Sequence, residues 1–228
     1  MKVLFIGNSY TYYNSIWDRF LGLAQASGHA VEVDSVTKGG YAFFQMNDPE
    51  NEYGRIVHEK LATTHYDVIF LQEQSHTPIS NHARFETHGE ELIEKAKRNG
   101  ARPILYQTWG RKEGSPDLAM LGLTDAEMTV QLASAYRALG TRLGVEVSPV
   151  GDAFFDVAIH HPELELYHAD RSHPSPLGTY LAALCHFETV FGISCVGNTY
   201  AFGTENPEEI RILQEAAHRA VTNRKAET

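Results

Sequence analysis

The chain has 228 residues, of which 43% are apolar and 11% aromatic, and a formal net charge of −10. That is enough apolar material to cover both faces of a sheet, and it lies far from disordered composition. The acidic balance argues against nucleic acid or an anionic membrane as partner, because both need clustered Lys and Arg to displace counterions.

The first residues, MKVLFIG, carry one lysine and an apolar run of four. That is too short for a signal-peptide core of about 7–15 residues or a membrane span of about 20, so the chain reads as cytoplasmic. Val3 to Ile6 form a short buried strand, which Gly7-Asn8-Ser9 interrupts. A helix follows from about Ser15 to Ala26, with Ile16, Phe20, Leu21 and Leu23 apolar, Asn14 or Ser15 as cap and Gly28 as stop. VEVDSV (31–36) reads as a second strand. DVIFL (67–71) is a third, a continuous apolar run of the kind found inside parallel sheets.

A charged helix is expected from His82 to Asn99, ending at Gly100, then a fourth strand in PILYQT (103–108). A long helix from Asp125 to Leu143 leads to a fifth strand in VEVSPV (145–150). Ser175 caps a further helix with Pro176 in its first position, and Pro207 opens the last. Cys185 and Cys195 fit no zinc or redox spacing and read as free thiols of a reducing compartment. There is no repeat, low-complexity tract or linker, so residues 1–228 read as one domain. Alternating strands and helices imply a parallel sheet with helices on both faces, a three-layer α/β/α sandwich. The longest irregular stretch, Gly110 to Leu123, is a candidate lid or dimer contact.

In such a sheet, ligands bind beyond the carboxyl ends of the strands. Residues 7–11, 37–41, 72–76 and 108–111 should therefore share one edge. Ser9 stands where a strand hands over to a helix, with only half of the lipase-type elbow, which has a glycine on each side of the serine. Taken alone it reads as a helix cap. HADRSHPSPLG (168–178) changes that reading. Pro174 pushes His173 into an extended conformation, so its imidazole projects from a loop. Asp170, three residues upstream, can then bond Nδ1 and leave Nε2 as a base for a serine hydroxyl. Singly, Asp170 is an ordinary turn aspartate and His173 one loop histidine among twelve. In the order Ser, Asp, His they make the set that serine hydrolysis requires.

GNSYT, a glycine after the second strand and DRSHPSPLG together resemble the blocks of the SGNH (GDSL-like) hydrolase superfamily. GNSYT with LQEQS and the DxxHP block is most similar to a bacterial branch of unknown function. The resemblance implies a flavodoxin-like fold with a five-stranded parallel sheet, no metal and no cofactor. It also implies esterase, lipase, thioesterase or carbohydrate deacetylase activity on a small-molecule ester. By the same resemblance Ser9 is the nucleophile and its N–H an oxyanion donor, Asp170 and His173 are the acid and base, and Gly40 is a second donor, with Gly39 its competitor.

The third block departs from the superfamily's G-x-N-D and reads Gln72-Glu73-Gln74. It resembles the Q-G-E variant of some carbohydrate esterases, which nominates Gln72 as the side-chain donor and leaves Gln74 as the alternative. The same branch suggests an acetyl ester on a carbohydrate. Trp109, with Arg111 and Lys112, is a candidate for binding a sugar face, against surface packing as the plain alternative. Tyr10, Tyr12 and Tyr13 either wall a pocket or pack beneath the loop. His160, His161 and His168 fit no standard metal spacing. Two other functions stand beside the esterase. One is a flavodoxin-like binding protein whose Asn8 to Asn14 loop cradles a phosphate or flavin and needs neither Asp170 nor His173. The other is a non-catalytic glycan binder.

Overall fold

The computed structural model describes residues 1–226. Five strands, β1 (Lys2–Gly7), β2 (Glu32–Thr37), β3 (Val68–Leu71), β4 (Arg102–Tyr106) and β5 (Glu146–Ser148), make one sheet in the order β2-β1-β3-β4-β5. Every pairing is parallel, with Gly7 opposite Thr37 and Ile6 opposite Leu71 at the carboxyl edge. The chain leaves β1 for β2 on one side and returns to β3 on the other, which puts a topological switch point at the end of β1.

The helices are α1 (Ser9–Tyr12), α2 (Ile16–Ala26), α3 (Phe43–Asn47), α4 (Glu52–Thr63), α5 (Thr77–Ser80) and α6 (His82–Asn99). They continue as α7 (Pro116–Leu121), α8 (Asp125–Leu143), α9 (Val150–His160), α10 (Pro176–Phe191) and α11 (Pro207–Ala226). Alternation along the strands divides the core in two. Val3, Phe5, Val68 and Phe70 pack with α2, α9, α10 and α11, and Phe5 stacks on Phe70 with centroids 4.8 Å apart. Leu4, Ile6, Ile69 and Leu71 face α3, α4, α6 and α8 on the other side. Burying each large side chain contributes about 1.5–3 kcal/mol. This is a flavodoxin-like α/β/α sandwich, as expected.

Cap chemistry explains the boundaries. Thr124 and Glu127 form a capping box at the start of α8, and the Ser175 hydroxyl accepts the Gly178 N–H at the start of α10. Ser15 stands before α2 but makes no side-chain cap bond. Three expectations change. The fifth strand stops at Ser148, because Pro149 has no N–H for the ladder and α9 begins at Val150. The connection from β2 to β3 contains α3 and α4, which the periodicity had not located. The irregular stretch 110–123 holds α7, capped by Ser115, opened by Pro116 and closed by Gly122. Cys185 and Cys195 are both buried and unpaired. Among the described residues, no helix is long and apolar enough to cross a membrane.

Candidate active site

β1 delivers Ser9 to the switch point, and its neighbours fix the loop. A Cβ on Gly7 would lie 2.4 Å from Thr11 Oγ1 and 2.6 Å from Gln72 Oε1, so only glycine fits there. Asn8 Oδ1 accepts the Tyr10 N–H at 3.1 Å, and Asn8 Nδ2 donates to the Tyr41 carbonyl at 2.8 Å. Asn8 is therefore the cap of α1, and the Ser9 hydroxyl is left to meet His173.

His173 Nε2 lies 2.8 Å from Ser9 Oγ, and His173 Nδ1 lies 2.6 Å from Asp170 Oδ2. A carboxylate only accepts, so Nδ1 carries the proton and Nε2 faces the serine as a base. Asp170 Oδ1 takes the N–H groups of Ser172 at 3.0 Å and His173 at 2.9 Å. Partial burial pushes the Asp170 carboxyl up, but the imidazole and the two N–H groups together bring it down to about 2. The Tyr13 ring stacks on the imidazole at 4.2 Å and 13°, while Tyr10 meets it edge-on at 5.6 Å, so two tyrosines fix the ring plane.

The loops that carry Ser9 and His173 are tied together. Asn14 Nδ2 donates to the Pro174 carbonyl at 3.2 Å and to Thr179 Oγ1 at 2.9 Å. Among the described residues, Asn14, Ser15 and Arg171 are the non-glycine positions with left-handed φ, and all lie in these loops. Strain of this kind persists only where the surroundings hold it, which here means around Ser9, Asp170 and His173.

Gly40 occupies the exposed turn from Lys38 to Tyr41 with φ +75°, a conformation that favours glycine. Neither the Ser9 nor the Gly40 N–H has a protein acceptor among the described residues. Gly39 lies under Tyr12, whose hydroxyl would be 3.0 Å from an added Cβ. Gln72, expected to offer the side-chain donor, turns its acceptor oxygen to the Ser9 loop. It is buried, its Oε1 accepts the Asn8 N–H and the Thr11 hydroxyl, both at 2.8 Å, and its Nε2 donates to the Glu73 carbonyl. It braces the Ser9 loop from beneath. Gln74 is half-buried, with Oε1 held by the His76 N–H, the Thr77 N–H and the Thr77 hydroxyl. That fixes the amide and leaves Nε2 with one N–H beyond its bond to Ser75 Oγ.

Trp109 is corrected as well. It is fully buried, sandwiched between Tyr10 at 4.4 Å and Phe154 at 4.2 Å, and Nε1 donates to the Ser172 carbonyl at 3.0 Å. It supports the histidine loop and presents no face to a sugar. Arg111 is also buried. It donates to the Tyr10 hydroxyl and, at 2.8 Å, to Ser75 Oγ, pairs with Asp117 at 2.7 Å, and reaches Ser172 through the Tyr10 hydroxyl. One guanidinium thus links the serine, third-block and histidine loops with α7. No spacing in the sequence marks Arg111, Ser75 and Ser172 as partners, because their meeting depends on the fold.

Lys112 pairs with Glu165, while His160 and His161 pair with Asp156 and Glu163. In the Asn8 to Asn14 loop, the side chains of Asn8, Ser9, Tyr10, Thr11 and Asn14 bond to other parts of the protein.

No protein-family model matches the chain, and neither does any curated protein. Solved structures do. One from Slackia heliotrinireducens, assigned to the SGNH hydrolases, is 32% identical with a TM-score of 0.74, over 83% of this chain and 98% of that one. A DUF4886 family protein from Bacteroides uniformis ATCC 8492 superposes with a TM-score of 0.85 at 18% identity, over 97% and 95% of the two chains. Axe2, an acetylxylan esterase from Geobacillus stearothermophilus, gives 0.64 at 17% identity, over 86% and 95%. At such identities the last two likenesses speak for the fold alone.

Proposed function

Because the chain belongs to the SGNH hydrolase family, we propose that it is a serine esterase acting on a carboxylic ester, an acetyl ester of a carbohydrate or similar small molecule, through an acyl-enzyme on Ser9. The observation that carries this reading is the continuous chain from Ser9 Oγ through the His173 imidazole to Asp170 at the switch point of the sheet. His173 Nε2 takes the serine proton as Oγ attacks the ester carbonyl, and Asp170 stabilises the imidazolium that forms. The developing oxyanion is held by the Ser9 and Gly40 N–H groups and by Gln74 Nε2, whose amide is already oriented. His173 returns the proton to the leaving alcohol, and water activated by the same imidazole then releases the acid.

The acetyl preference and the carbohydrate alcohol are supported by the fold shared with Axe2 and by the Q-G-E-like third block. The test is hydrolysis of p-nitrophenyl acetate and butyrate, then of acetylated sugars, by wild type beside Ser9→Ala and His173→Ala. Turnover that vanishes in both variants and favours acetate supports the proposal. Equal turnover in all three proteins overturns it.

A further inference from the structure

Glu73 lies between the two glutamines of the third block and is completely buried. Its Oε1 accepts two backbone N–H groups from different segments, Gln74 at 2.6 Å and Phe43 at 3.0 Å. Phe43 opens α3 just beyond the turn that presents Gly40, and Gln74 is the proposed side-chain donor. A single carboxyl oxygen therefore joins the backbones of the two segments that flank Ser9 with oxyanion donors. The other oxygen, Oε2, has no hydrogen-bond partner.

The ionisable groups that face this carboxyl are Arg84 from α6 and the Tyr136 hydroxyl from α8. Burial pushes the Glu73 carboxyl up to about 7, against the pull of the Gln74 and Phe43 N–H groups and the Arg84 charge. A glutamine of the same shape would accept the same two N–H groups without burying a charge, so a role limited to packing does not call for an acid here.

We propose that Glu73 is a positioning residue whose carboxylate form draws the Gly40 and Gln74 segments together, so that gaining a proton slackens the oxyanion hole; this rests on the esterase reading above. Hydrogen bonds to a carboxylate are roughly twice as strong as those to a neutral oxygen. The Gln74 and Phe43 N–H groups are thus gripped more firmly when Glu73 is ionised. The effect belongs to the chemical step and should appear in kcat more than in KM.

The experiment compares the pH dependence of kcat/KM for p-nitrophenyl acetate in wild type, Glu73→Gln and Ser9→Ala. Wild type and Glu73→Gln share the same Ser9, His173 and Asp170, whose pH dependence cancels from their ratio. The ratio is expected to be about five- to tenfold at about pH 8.5 and to close toward one at about pH 5.5, as the wild-type carboxyl gains its proton. A ratio that stays flat, while Ser9→Ala is inactive, overturns the role of Glu73 and leaves the esterase standing. A Ser9→Ala protein as active as wild type overturns the esterase itself. If Glu73→Gln does not fold, amide resonances of wild type decide. Gly40 N–H and Gln74 side-chain amide shifts that move together with an inflection near pH 7 support the proposal, and shifts that do not move overturn it.

Discussion

At the carboxyl edge of the sheet, Ser9, His173 and Asp170 from the two chain ends are open to solvent, whereas Gln72, Glu73, Trp109 and Arg111 from the middle of the chain are buried. Ser9 and His173 are partly open and Asp170 is exposed, and their loops hold the left-handed residues Asn14, Ser15 and Arg171. Gln72, Glu73, Trp109 and Arg111 lie beneath them, with bonds running from one loop to another. The first group keeps a polar atom open to solvent. The second bonds across to other loops, and residue type alone does not separate the two.

The largest expected effect comes from the exposed set. Ser9→Ala should lower kcat/KM for p-nitrophenyl acetate by at least roughly 10⁴-fold, leaving the thermal midpoint nearly unchanged. Next comes the contrast between the two glutamines. Gln74→Glu keeps the oxygen that His76 and Thr77 bond and removes the donor to the oxyanion, so it should lower kcat by at least roughly 10²-fold with little loss of stability. Gln72→Ala should do the opposite, costing about 1–3 kcal/mol of stability because the Asn8 N–H loses its buried acceptor, with the smaller change in kcat. Kinetics beside denaturant titrations would check both, and the reverse order would return Gln72 to the oxyanion hole.

Smaller effects sharpen the same division. Trp109→Phe keeps a ring between Tyr10 and Phe154 but removes the donor to the Ser172 carbonyl. It should cost about 1 kcal/mol in stability and leave KM within about twofold, read from urea unfolding and initial rates. The smallest signal is the pH dependence of stability that Asp170 contributes. Its carboxyl sits at about 2 in the folded chain, below its ordinary value, so its contribution is present above about pH 4 and is lost as pH falls toward 2. Asp170→Asn lacks that dependence, and the gap between the thermal midpoints of the two proteins should narrow over this window.

The legibility of the sequence follows the same line. The parallel sheet, α6, α8 and the Ser175-Pro176 start of α10 were readable because apolar runs, caps and glycine stops agree there. The helices between β2 and β3 were not, since the eight-residue stretch that follows α3 and opens α4 (DPENEYGR) is mostly polar and shows little periodicity. Ser9, Asp170 and His173 stood out because their chemistry demands particular types at a particular spacing. Trp109 was read as a candidate for binding a sugar face because loops usually lie at the surface, and Gln72 as a donor by resemblance to the Q-G-E variant. Their burial arises from long-range packing, with Phe154 against Trp109 and the Asn8 loop above Gln72, neither of which local sequence encodes.

The most direct test of the central claim is covalent labelling with an activated phosphonate ester, followed by peptide mass spectrometry. A single adduct on Ser9, lost in His173→Ala and paralleled by loss of esterase turnover, is the result expected of a nucleophile activated by His173 at 2.8 Å. An unlabelled Ser9 in a protein that still hydrolyses esters, or labelling undiminished in His173→Ala, would contradict it.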